Sequence, residues 1–350
     1  SDKTKKNIRV FTALIIIFCF MFYVAAQLQA AGGTFAVTFD LSLRNSILLG
    51  GFVIMIYTML GGFWAVSLTD TLQGTLMMVA SLLLPTLALI EVGGISDFWQ
   101  NYKASASLEQ LSLGGSNTGL MLIGFVLGSM SIGLGALGQP HLLIRFMSMK
   151  KNVKMRVAQI IAISCVAVSM IGMIILGMCG SIMVNEISNA EDIFFMLTDS
   201  LLPVVLGGIM VAAVLSAVLS TADSQLLVSA SSIAHDLMGE EAEGHSKLFV
   251  SRIVIAVLCV FAVITSIYLP SDIFSRVLFA WNALGASIGP VVFMRLAGVR
   301  VNSRAILPSM IFGFVMTIIF FLQPDAPGDF LERAVPFILC LLILYFTRRR

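Results

Sequence analysis

The strongest constraint on this chain is a series of ten long apolar runs. They fall at about residues 8–30, 46–67, 70–92, 118–138, 155–184, 201–236, 248–270, 274–297, 304–323 and 332–347. A helix needs roughly 20 mostly apolar residues to cross a bilayer. The runs are continuously apolar, where barrel strands would alternate. Backbone groups in lipid must be paired within their own segment, which leaves helices. Composition agrees: 58% of the residues are hydrophobic and 11% charged, where a soluble domain carries about a quarter charged. A water-soluble globular enzyme is excluded, and the chain reads as an all-α polytopic membrane protein with no appended soluble domain. The run 201–236 is too long for one perpendicular helix and must tilt, bend or project. The second and third runs meet at the short sequence GGFWAVSLTD.

Basic residues test the count. With both termini in the cytoplasm, inside segments hold Lys3, Lys5, Lys6, Arg9, Arg145, Lys150, Lys151, Lys154, Arg156, Lys247, Arg252, Arg295, Arg300, Arg304 and Arg348 to Arg350. That is 17 of the 21 basic residues; Arg44, Lys103, Arg276 and Arg333 fall outside. The positive-inside rule thus supports ten spans with both ends cytoplasmic; the membrane is expected to be the plasma (inner) membrane. The outer loop 93–117 carries DFWQNY, whose aromatic residues suit the membrane interface. The acidic stretch Gly239–Gly244 reads as a solvated cytoplasmic turn.

Little competing chemistry is encoded. Cys19, Cys165, Cys179, Cys259 and Cys340 sit singly in apolar runs as structural thiols. His141, His235 and His245 show no metal-ligand spacing. No phosphate-binding G-x-x-x-x-G-K-[ST] and no nucleophile elbow are present, so neither nucleotide-driven transport nor hydrolysis is expected. Nothing suggests nucleic-acid binding or an organic cofactor.

Ionisable groups inside spans are costly and mark function by default. Asp223 lies in Ser216–Ser224 of the longest span. On a helix, Ser216, Ser220, Asp223 and Ser224 share one face, with Ala217 and Thr221 beside it. Hydroxyl, carbonyl and carboxylate oxygens suit a hard cation; small-residue helix packing is the plainer alternative. Asp70, after Ser67-Leu-Thr69, reads either as a cap at the start of the third span or as a partner of Asp223. Two facing carboxylates would repel without a shared cation or proton.

The fourth span has glycine at 124, 128, 133, 135 and 138 and closes on Gln139-Pro140-His141. Each internal glycine costs about 1 kcal/mol against alanine. Such a sequence suits an interrupted helix exposing backbone groups to substrate, or close packing of a neighbouring helix.

Four blocks, in order, resemble the sodium/solute symporter family, particularly its sodium/proline branch. They are Tyr57–Gln73 (YTMLGGFWAVSLTDTLQ), Gly135–Met147 (GALGQPHLLIRFM), the stretch from Ala217 to Asp236 carrying STADSQLLVSASSIAHD, and Phe279–Val292 (FAWNALGASIGPVV). The resemblance implies a leucine-transporter-type fold of two inverted repeats and sodium-coupled uptake of a small organic solute, with sodium as coupling ion and no other cofactor. It implies a division into the remainder of a first repeat (8–92), a second repeat (118–297) and extra helices (304–347). Ala217 would offer a carbonyl, and Ser220 and Thr221 hydroxyls, to a common sodium site. Asp70, Ser220, Asp223 and Ser224 match a second sodium site of some members. Ile132, Ala136, Gln139 and Pro140 would border the solute, with Tyr23 approaching from the first span. Proline carriers typically hold aromatic residues where this chain has Ile132 and Ala136, which implies a differently shaped or larger solute.

On that resemblance the chain begins at the third helix of the first repeat. It is expected to be an N-terminal truncation, unable to transport alone. SDKTKKNIR lacks the apolar core of a signal peptide. The alternatives are a proton-coupled permease working through Asp70 and Asp223, or a symporter-like sensory domain of a signalling protein.

Overall fold

The computed structural model describes residues 2–61, 63–150, 153–184, 190–237, 244–269, 273–323 and 329–348. The described residues are helical, with no strand among them. In chain order the helices are α1 (Asp2–Phe39), α2 (Leu43–Leu60), α3 (Phe63–Glu91), α4 (Gly94–Ser105), α5 (Leu120–Gly135), α6 (Pro140–Met147) and α7 (Met155–Met183). They continue with α8 (Ile193–Leu201), α9 (Val204–Ser231), α10 (Gly244–Tyr268), α11 (Ile273–Leu296), α12 (Ser303–Phe321), α13 (Phe330–Arg333) and α14 (Val335–Phe346). Nine helices among the described residues are long and apolar enough to cross a membrane.

Boundaries differ from the sequence reading where side chains satisfy themselves. The first run extends well past residue 30, because Thr34 and Thr38 donate to the carbonyls of Ala30 and Thr34 at 2.9 and 2.7 Å and stay helical. Between the second and third runs the chain breaks at Gly61, not at Leu68–Thr69. Gly61 is extended (φ −78°, ψ 173°). Thr69 Oγ1 donates to Ala65 and Val66 carbonyls, so the polar Ser67–Asp70 stretch sits inside α3. Asp70 therefore lies seven residues beyond the start of α3, and the capping role is ruled out. The run 201–236 is entered through Pro203, which has no N–H to donate and disfavours helical backbone at Leu202; α8 accordingly ends at Leu201. The tenth run splits into α13 and α14. The 12 residues of α14 rise only about 18 Å, short of a full crossing. The loop 93–117 contains a helix, α4, with Trp99 half exposed. The acidic turn at Gly239–Gly244 falls almost wholly outside the described residues.

Two helices organise the packing. Helix α1 contacts α2, α9, α10 and α11; helix α9 contacts α1, α3 and α10. Val24, Leu28, Ile54, Leu226 and Ile255 bury themselves between α1, α2, α9 and α10. On the other side of α9, Met210 packs with Leu84, Leu176 and Leu197 of α3, α7 and α8. Phe20 and Tyr23 of α1 join Ala283 and Leu284 of α11. Many large apolar side chains, such as Trp64, Ile160 and Val204, stay exposed, as a lipid-facing surface requires. Cys19, Cys179, Cys259 and Cys340 are buried thiols, and Cys165 is partly buried.

Candidate functional site

The fourth span is interrupted. Helix α5 stops at Gly135, a single 3-10 turn covers Ala136–Gly138, and Gln139 is extended (φ −86°, ψ 106°) before Pro140 opens α6. Proline at a first helical position costs no hydrogen bond and presets φ. The glycines also serve close packing, so the span is both interrupted and tightly packed against a neighbour. A Cβ on Gly138 would strike the Leu284–Gly285 backbone, and one on Gly285 would strike Gly135. The break thus lies against the backbone of α11.

Around the break, Trp281 Nε1 donates to the Ile132 carbonyl at 2.7 Å. Gln139 Nε2 donates to the carbonyls of Gly135 and Trp281, each at 3.2 Å. Gln139 is fully buried, and its Oε1 has no hydrogen-bond partner. Tyr23 sits edge-on to His141, ring centroids 6.4 Å apart. The structure therefore bonds Ile132 and Gln139 to Trp281; Ala136 and Pro140 lie in the break itself, and Tyr23 meets the residue after Pro140, His141.

A second cluster forms where α3, α6 and α9 meet. Arg145, in the last turn of α6, donates from Nη2 to Asp70 Oδ2 at 2.5 Å and to Ser224 Oγ at 2.6 Å. The Ser224 hydroxyl gives its proton to the Ser220 carbonyl at 2.9 Å, which leaves Asp223 Oδ1 a distant 3.4 Å away. Asp223 is fully buried, and Asp223 Oδ2 and Asp70 Oδ1 have no hydrogen-bond partner. Two carboxylates face one guanidinium, so the cluster carries one uncompensated negative charge when both are ionised. At an effective dielectric near 20, a unit cation about 4 Å away gains about 4 kcal/mol. Oxygen-only donors suit a hard cation.

One turn earlier on α9, Ser220 Oγ and Thr221 Oγ1 both donate to the Ala217 carbonyl at 3.0 Å. Three oxygens are thereby held together, with the hydroxyl lone pairs free for a cation. A cavity of about 330 Å³ opens beside Asp70, and Asp223 lies behind its lining, next to Ser224. Asp70, His141, Arg145, Ser224, His235 and Arg252 are among its lining, whereas the residues at the break are not.

Sequence reasoning missed Arg145 and Trp281. Arg145 enters the sequence reading as an inside charge and as part of the block Gly135–Met147, with no site role, although a lone arginine five residues after Pro140 is a signal. Trp281 stood in a quoted block, but its hydrogen bond to a carbonyl 149 residues away is a tertiary fact.

The fold and this broken-helix site define a class of polytopic transporter-like membrane proteins. The solved structure titled as the substrate-bound outward-open state of a Na+-coupled sialic acid symporter aligns with a TM-score of 0.76, over 98% of this chain and 74% of that one, at 16% identity. The sodium:solute symporter family model matches residues 3–313, and the chain belongs to that family. It is 31% identical over 324 residues to sodium/proline symporter 2 of Staphylococcus saprophyticus subsp. saprophyticus, covering 89% of this chain and 62% of that protein. It is 32% identical over 328 residues to the sodium/proline symporter of Staphylococcus aureus (strain USA300 / TCH1516), covering 90% and 63%. The chain thus spans less than two thirds of the length of these relatives.

Proposed function

We propose that this chain is the ion- and solute-handling membrane part of a sodium-coupled symporter that imports a small organic solute by alternating access. The observation that carries the reading is the Asp70–Arg145–Ser224–Asp223 cluster. Arg145 neutralises one of two buried carboxylates, and sodium neutralises the other. The Ala217, Ser220 and Thr221 oxygens form a separate hydroxyl–carbonyl site for the same ion. Family membership and the names of the relatives support sodium as the coupling ion.

The solute is a small amino-acid-like compound, proline-type or a related carboxylate. Gln139 Oε1 is a buried acceptor free to take an N–H or O–H from it. Ile132 and Ala136 leave more room than aromatic residues would. Since Trp281 is bonded at the break, solute entry requires Trp281 to shift, and rocking of the repeats then exposes solute and sodium to the other side. The membrane is the plasma (inner) membrane, with Ser1 and Arg350 on its cytoplasmic face.

Thermal unfolding of the purified chain in sodium against choline chloride tests ion binding. An ion that binds only the folded state stabilises it by RT ln(1 + [Na+]/Kd). The midpoint should rise with sodium and not with choline, and the rise should vanish in Asp223→Asn with Ser220→Ala. Equal midpoints in both salts, with a rise only at low pH, would select proton coupling instead.

A further inference from the structure

On the face of α10 beside the carboxylate cavity, α1, α10, α12 and Ile233 beyond α9 line a separate apolar groove of about 640 Å³. Ile15 and Leu258 are buried in its floor, Leu14, Val257 and Phe261 stand half exposed on its walls, and Phe314 closes one side. Along α1 the lining runs from Phe11 to Met21, a rise of about 15 Å, half the thickness of a bilayer's hydrocarbon core. The groove is therefore one leaflet deep.

Its polar end is charged. Lys3, Lys5, Lys6 and Arg9 precede Phe11 on the same helix and are exposed. Arg9 is drawn to Asp236, 3.8 Å away. The helical repeat puts Lys3 at the head of the row Asn7, Leu14, Phe18, and Lys6 at the head of the row Val10, Ile17, Met21. Both lysines thus stand in line with groove walls, about 12 and 8 Å of helix rise before Phe11.

We propose that this groove holds the acyl chains of an anionic phospholipid from the leaflet on the Lys3 side, with Lys3 and Lys6 taking its phosphate. The occupant follows from three matches: an apolar lining, a depth of one leaflet, and positive charge at the head-group end only. Basic clusters beside a membrane helix attract anionic head groups.

Native mass spectrometry of the delipidated chain, titrated with phosphatidylglycerol or phosphatidylcholine of identical acyl chains, tests this. Phosphatidylglycerol should bind preferentially, and Lys3→Gln with Lys6→Gln should weaken it about fivefold per lysine while leaving phosphatidylcholine unchanged. Leu14→Trp, which fills the groove from an exposed position, should remove the tightest-bound lipid, whereas Leu82→Trp, equally exposed on α3, should not. Equal affinity for both lipids, or binding indifferent to Leu14→Trp, overturns the proposal. A dimer lost on Leu14→Trp would overturn it too, assigning the groove to a second copy of the chain.

Discussion

Arg145 and Asp70 are joined by a 2.5 Å hydrogen-bonded ion pair that ties the half-helix after the break to the span carrying the carboxylate. The pair is asymmetric: the Asp70 side chain is 11% exposed and that of Arg145 is 46% exposed. Through Ser224 the same guanidinium also reaches α9. One side chain therefore couples α3, α6 and α9.

Replacing Arg145 with glutamine leaves Asp70 and Asp223 without the guanidinium that is bonded to this cluster. In choline chloride the variant should lose about 1–3 kcal/mol of stability, discounted for the exposed guanidinium. Sodium should restore much of that loss, because the site's charge has become more negative. Thermal midpoints across a sodium titration check this, with a lower half-effect concentration in the variant than in the parent. Arg145→Lys should lie between the two, since an ammonium lacks the fork that spans Asp70 and Ser224.

Asp223→Asn and Asp70→Asn should differ. The first removes the uncompensated charge and leaves the Arg145–Asp70 pair intact, so sodium affinity should fall at least about tenfold, a loss of about 1.4 kcal/mol or more, with little change in fold stability. The second strands Arg145 beside Ser224, so it should weaken both folding and ion binding. Sodium-dependent unfolding midpoints measured in parallel separate these outcomes.

Gly138→Ala should destabilise the protein by about 1–3 kcal/mol, because the added methyl meets the Leu284–Gly285 backbone of α11. Gly133→Ala, five residues earlier on α5 with open space around it, should be neutral or stabilise by up to about 1 kcal/mol. The contrast in thermal midpoints between two Gly→Ala changes on the same span checks that the break is packed against α11.

Trp281→Phe keeps the ring's bulk but loses the donor to the Ile132 carbonyl. The cost should be about 1 kcal/mol in stability. Solute affinity should change more than sodium affinity, since Trp281 touches the break and not the carboxylates. Isothermal titration with sodium alone, then with solute at saturating sodium, distinguishes the two.

What the sequence showed follows from which forces act locally. Long apolar runs report helices directly, because lipid permits little else. The oxygen-rich face of α9 was visible because helical periodicity alone puts Ser220, Asp223 and Ser224 together. The α2–α3 boundary was misplaced because Thr69 and Thr71 hide their hydroxyls in their own helix, so polarity there did not mean a turn. The brevity of α14 was masked by the apolar residues around Ala334 and Pro336. Arg145 escaped notice because its role depends on Asp70, 75 positions away, and charge counting assigns it only a side of the membrane.

In the function proposed above, the Asp223 and Ser220/Thr221 oxygens couple solute movement to sodium. This coupling is tested most directly by solute uptake into proteoliposomes carrying the protein that contains this chain, under an imposed sodium gradient at equal pH on both sides. Accumulation above equilibrium should collapse when the gradient is dissipated, and Ser220→Ala with Thr221→Ala should raise the sodium half-saturation at least about tenfold, equivalent to about 1.4 kcal/mol of lost ion binding. Accumulation that ignores sodium and follows a pH gradient, or that survives the double substitution unchanged, would contradict it.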